Sequence, residues 1–261
     1  MFETLKIALI AEGPTDKVII EAALKAILLR PFIITMLQPE QTRPDLGGGW
    51  GGVLKWCKEF RHRGYDGFEE DPTLEHYNYF ILHLDADVAH KSYSDISPTI
   101  EQEAQSFGWG LLPCDLPCPP PDATVTNLRA VLMSWLGIES TGARTVLCFP
   151  SKSTETWLAV AAYPENANLL SGHECTLNME GRLAILPKAE RIKKRVREYQ
   201  DHAGTVTREW SNIRTKCSQA DLFHQSSTAV IMWGVHDHQC PDPESRVDEG
   251  GMPWPGELSQ I

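Results

Sequence analysis

Four carboxylates suggest chemistry as soon as this sequence is read. Glu12 follows an apolar run in A-E-G-P-T-D, Asp85 and Asp87 close a second in L-D-A-D, and Glu155 follows a third in S-T-E-T-W. Carboxylates that converge repel one another unless a hard cation lies between them, and all-oxygen sites suit Mg2+ or Mn2+. If the strand continues through a D-x-D pair, both side chains point to one side and can share an ion. Such a centre hydrolyses or transfers phosphate esters, with ions that activate water and stabilise the leaving oxygen.

The elements that must position these acids are legible as alternating strands and helices. Leu5 to Ala11 predicts a strand buried on both faces, and Pro14 opens a helix with apolar residues Ile19, Ile20, Ala23, Leu24, Ile27 and Leu28 on one face. Phe32 to Leu37 predicts a second strand, Tyr77 to Val88 a third and Thr145 to Phe149 a fourth. Helices are predicted over Val53 to Arg61, Asn127 to Trp135 and Thr156 to Ala162, with a polar, Pro-rich loop ahead of the second of these. The fold class is α/β, a mostly parallel sheet flanked by helices with a helical C-terminal extension. Each acidic motif then lies just past the carboxyl end of a strand, where open α/β sheets bind ligands.

A net charge of -11 excludes a protein that coats nucleic acid through bulk charge, because phosphate binding of that kind needs clustered Lys and Arg. It is compatible with a nuclease whose carboxylates hold a metal that then faces the phosphate. No apolar run of roughly eighteen residues is present, so no membrane span is expected. The opening MFETLKIALIAEG lacks a signal peptide's basic start and small-residue cleavage site, and the seven cysteines are odd in number. Reduced thiols in a cytoplasmic protein are expected.

The order of Glu-Gly after the first strand, D-x-D after a later one and Glu at a helix start resembles the Toprim family. E-G-P-T-D looks like the opening of its OLD-type nuclease branch, and P-S-K-S-T-E-T-W-L-A like the later Glu-bearing segment of Toprim-like bacterial proteins. The resemblance covers roughly residues 5 to 165. It implies a Toprim-like catalytic core over 1-165; beyond it the residue pattern turns helical and more basic over 166-235, expected to pack on the core, and 236-261 reads as a Pro/Gly-rich acidic tail. By resemblance, Glu12 is a metal ligand or general base, Asp16 shares its ion, Asp85 and Asp87 hold metal, and Glu155 completes a second site near Ser153. Lys188 is the candidate catalytic lysine, with Lys152 and Lys17 as alternatives. The implied activity is a Mg2+- or Mn2+-dependent endonuclease of DNA or RNA, tRNA included, in bacterial defence or as a toxin-like effector. OLD-type proteins also carry an ATPase domain, but no G-x-x-x-x-G-K-[ST] occurs here. A separate ATPase partner is therefore expected.

Competing readings stand beside these. Glu12 and Asp16 could be a strand end and a helix-terminal charge, Asp85 and Asp87 the start of a polar loop, and Glu155 part of a capping box. Another D-x-D phosphotransfer enzyme, such as a sugar-nucleotide transferase, or a non-catalytic regulatory or assembly subunit would carry the same acids. Cys114 and Cys118 with His236, His238 and Cys240 could hold zinc in a binding module. His83 reads as a packed core histidine, whereas His90 could approach the acids. Gly47 to Gly52 reads as a flexible loop more readily than a phosphate cradle. The basic run with Lys193, Lys194, Arg195 and Arg197 is the candidate substrate-binding surface, or a solvated helix face. Trp50, Trp56, Trp157 and Trp210 read as core.

Overall fold

A computed structural model of the chain describes residues 4–40 and 47–234. Four strands form one parallel sheet: β1 (Leu5–Ile10), β2 (Phe32–Gln38), β3 (Tyr79–His83) and β4 (Thr145–Cys148), in the order β2-β1-β3-β4. From β1 the chain moves to β2 on one side and then returns to β3 on the other. The order therefore reverses between β1 and β3, and a crevice at such a switch point opens beyond the strands' carboxyl ends.

Helices cover both faces, which explains the continuous apolar strands. Alternation along β1 sends Ile7 and Leu9 to one core and Ala8 and Ile10 to the other. The first core packs α1 (Pro14–Ile27), α5 (Glu155–Ala162), α6 (Met179–Ala184), α7 (Val196–Arg208), α8 (Trp210–Lys216) and α9 (Ser218–Gly234). The second packs α2 (Gly49–Arg63), α3 (Pro98–Phe107) and α4 (Asp122–Leu136). The C-terminal helices lie over the sheet, with α7 against α1 and α5 and α9 against β4.

Four expectations change. The third strand ends at His83, not Val88, because the chain turns into a 3-10 segment, Ala86–His90. The Pro-rich connection contains α3, where Ser97 accepts from Ile100 N–H, Pro98 starts the helix and Gly108 ends it with φ 63°. Those capping signals are clear, but α3 buries only Ile100 and Ala104, too few to reveal a helical stripe. The glycine run is an ordered turn leading into α2: Gly49 N–H donates to Glu12 carbonyl at 2.8 Å. Finally, Cys118 and Cys175 form a disulfide, so not all seven cysteines are reduced and Cys118 cannot serve zinc beside Cys114. The remaining zinc candidates, His236, His238 and Cys240, and the tail lie outside the described residues.

Candidate metal centre

Glu12 follows β1 directly, and its Oε1 accepts the backbone N–H of Asp85 at 2.8 Å, bridging the switch point between β1 and β3. Asp16 sits in the first turn of α1, where an acid complements the exposed N–H groups. It is only 2 % exposed, and its Oδ1 accepts from Thr154 Oγ1 at 2.7 Å.

Alternation explains the next pair. Tyr79 and Ile81 face the core under α1, and His83 continues that side of β3. Asp85 is still extended (φ -66°, ψ 135°), while Leu84 and Ala86 pack in the opposite core, so His83 and Asp85 share a face. Asp85 is 6 % exposed and His83 fully buried, with His83 Nε2 3.1 Å from Asp85 Oδ1. One ligand atom from each of Asp16, His83 and Asp85 lies within 4.8 Å of the others.

Asp87 does not share the arrangement expected of a D-x-D on a strand. Beyond Asp85 the backbone turns into the 3-10 segment, and Asp87 N–H is engaged by the Lys152 carbonyl at 3.1 Å. Its half-buried carboxylate stands beside Lys91, Lys194, Glu155 and His90, outside the tight trio.

Glu155 begins α5 and is 1 % exposed. Its Oε1 accepts from Tyr199 Oη at 2.7 Å and pairs with Lys194 Nζ at 3.0 Å, and Ser153 adds a hydrogen bond. Thr154, its N-cap, makes no capping bond and instead binds Asp16, so Glu155 is not part of a capping box.

The electrostatics follow from this packing. Burial, reinforced by Asp85 and Asp16, pushes the Glu12 carboxyl well above the usual range. Burial does the same to Asp85, with Asp16, Glu155 and Asp87 adding repulsion and Lys194 opposing it. Burial also raises Asp87. Glu155 is the exception: burial alone would raise it, but Lys194, Tyr199 and Ser153 outweigh that and lower it. The Lys194 ammonium loses solvation, yet Glu155, Asp16 and Asp85 hold it above its ordinary range.

Of the basic run, Lys194 is the residue joined to the acids. Lys188, the expected catalytic lysine, is exposed and lines a surface cleft with Arg191, Lys193, Glu198, Asp201 and His202. Lys193, Arg195 and Arg197 are exposed as well. A second lysine borders the site. Lys152 is buried, with Nζ 3.0 Å from His90 Nε2, and His90 Nδ1 lies 3.3 Å from Asp115 Oδ2. Burial lowers the Lys152 ammonium below its usual range, against the pull of Asp115 and Asp87.

The donor set fits a divalent cation. Buried polar atoms are almost always hydrogen-bonded, yet Asp85 Oδ1 and both His83 ring nitrogens have no hydrogen-bond partner among the described residues. A cation against Asp16, Asp85 and Glu12 would satisfy such acceptors and relieve the repulsion between the acids. His83 is the member of this group that its apolar neighbours disguised; its two-residue spacing from Asp85 was the available signal.

Compared with protein families, with curated proteins and with solved structures, the chain finds no match. Among the described residues no helix is long and apolar enough to cross a membrane.

Proposed function

We propose that this chain is a divalent-metal-dependent phosphodiester hydrolase of Toprim type that cleaves DNA or RNA. The observation that carries the reading is the convergence at the β1/β3 switch point of Asp16 and Asp85, with Glu12 bonded to the Asp85 N–H and the buried Asp85 Oδ1 left unsatisfied. Glu12, Asp16 and Asp85 would hold the ion, which supplies positive charge against the phosphate and acidifies water. Glu12, its Oε1 oriented by the Asp85 N–H, would bind the ion or instead take a proton from the attacking water. Lys194, fixed by Glu155, contributes charge on the phosphate side, while the neighbouring exposed Lys193, Arg195 and Arg197 offer a path for the nucleic-acid backbone. A role in bacterial defence, with a separate ATPase as partner, belongs to the same proposal and rests on the Toprim resemblance without a P-loop.

The test is incubation of the purified chain with plasmid DNA, single-stranded DNA and tRNA, with Mg2+, Mn2+ or EDTA, beside Asp85→Ala. Metal-dependent cleavage that disappears in the variant is expected. Cleavage that survives EDTA or the substitution would sink the proposal.

A further inference from the structure

Building on the metal-site reading above, we propose that His83 is itself a ligand of the cation. The centre is then a mixed nitrogen–oxygen site that takes a first-row transition ion such as Mn2+ in preference to Mg2+. The imidazole is fully buried at the end of β3, and neither ring nitrogen has a hydrogen-bond partner among the described residues. A histidine placed only for packing would leave both desolvated ring nitrogens unsatisfied, an unfavourable arrangement that a cation bound to one of them relieves.

The geometry points the same way. His83 Nε2 and Asp85 Oδ1 are 3.1 Å apart but are not aligned as a hydrogen bond, since both atoms remain unsatisfied. Two neighbouring ligands of one octahedral ion, each bonded at about 2.1 Å, stand about 3.0 Å apart, and opposite ligands about 4.2 Å. The His83–Asp85 pair matches the first separation, and one ligand atom from each of the three residues falls within 4.8 Å of the others. A cation on Nε2 would satisfy that nitrogen and the Asp85 oxygen together. Mg2+ favours oxygen and retains its waters, whereas an imidazole nitrogen raises affinity for the transition ions. A site built only for Mg2+ has no use for a buried imidazole facing its carboxylates.

The experiment titrates metal-free, full-length protein with Mn2+, follows free ion by electron paramagnetic resonance, and records the spin-echo modulation of the bound ion. Coupling to one nitrogen is expected in the wild type and is lost in His83→Gln. Mn2+ affinity should fall on the order of tenfold or more in that variant, and Mg2+ should displace Mn2+ only in large excess. Bound Mn2+ without nitrogen coupling overturns the proposal and leaves His83 outside the coordination shell. Unchanged Mn2+ affinity in a folded His83→Gln does the same. Should that variant not fold, the wild-type echo alone decides, because absence of nitrogen in the bound ion is sufficient to reject the ligand. Failure of the hydrolase reading looks different: Mn2+ binds with its nitrogen signature, but no nucleic acid is cut. Absence of Mn2+ binding rejects both.

Discussion

At Asp85, burial and three neighbouring acids act in one direction, so its carboxyl binds a proton more tightly in the folded protein than in the unfolded chain. Glu12 behaves alike. For carboxyls raised in the folded state, the contribution to stability is complete below the unfolded pKa of about 4 and is lost as pH rises through the folded value. Metal-free protein should therefore become less stable from about pH 5 upward, measured as a falling urea midpoint in EDTA. Asp85→Asn should flatten that slope and raise the midpoint near neutral pH while abolishing metal-dependent cleavage. A slope unchanged by the substitution would show that Asp85 is not the titrating group. Glu155 has the opposite sign, because Lys194 and Tyr199 stabilise its anion against burial. Its contribution is present above the unfolded value and is lost as pH falls through the lowered folded one. Glu155→Gln leaves Lys194 without its closest carboxylate. With the lysine side chain 37 % exposed, solvent screens the loss, and destabilisation of about 2 kcal/mol is expected by chemical denaturation.

Helix and strand ends place the acids, and two contacts between elements are open to direct test. Gly52, in the first turn of α2, lies against the Gly47 turn: a Cβ there would sit 2.7 Å from Gly47 carbonyl oxygen and 2.1 Å from Gln38 Nε2. The Gln38 amide can swing away, but the backbone oxygen cannot without moving the turn that holds the Glu12 carbonyl through Gly49. Gly52→Ala should cost about 1–3 kcal/mol of stability and weaken Mn2+ binding measurably; loss of stability with full metal affinity would uncouple this turn from the centre. On the other face, Trp157 of α5 is fully buried between Trp210 of α8 and Phe223 of α9, with ring centroids 5.4 and 5.8 Å away. Trp157→Ala should destabilise by about 3–5 kcal/mol, read from thermal or urea unfolding. Because Glu155 begins the same helix, metal affinity should weaken with it.

Across the whole molecule, α7 and the segment ahead of it reach the acidic cluster as well as covering the sheet. Tyr199 of α7 and Lys194 just ahead of it supply the partners that keep Glu155 ionised. The Cys118–Cys175 disulfide, spanning 57 residues of sequence, adds a long-range tie. It joins the segment carrying Asp115, which faces His90, to the turn carrying Glu174, which accepts from Ser151 beside Lys152. In the chain-entropy view such a crosslink contributes about 2–4 kcal/mol by restricting the unfolded chain. A dithiol reductant, or Cys118→Ser, should lower the unfolding midpoint accordingly; equal midpoints with and without reductant would show the bond to be inconsequential for stability.

Local pattern alone determined the four strands, the helices with strong apolar stripes, and the places of Glu12, Asp85 and Glu155 near strand ends or a helix start, because periodicity and strand ends are properties of neighbouring residues. It also identified Trp56, Trp157 and Trp210 as core. The helix at Pro98–Phe107 escaped because it buries only two side chains, and the extent of β3 because the 3-10 turn from Ala86 is held by bonds to Pro150 and Lys152 from beyond β4. Strand order, hence the β1/β3 switch point, was decided only in three dimensions. So were the choice of Lys194 over Lys188 and the separation of Asp87 from the tight trio. Each depends on which distant segments pack together, and residue spacing along the chain carries no direct record of that.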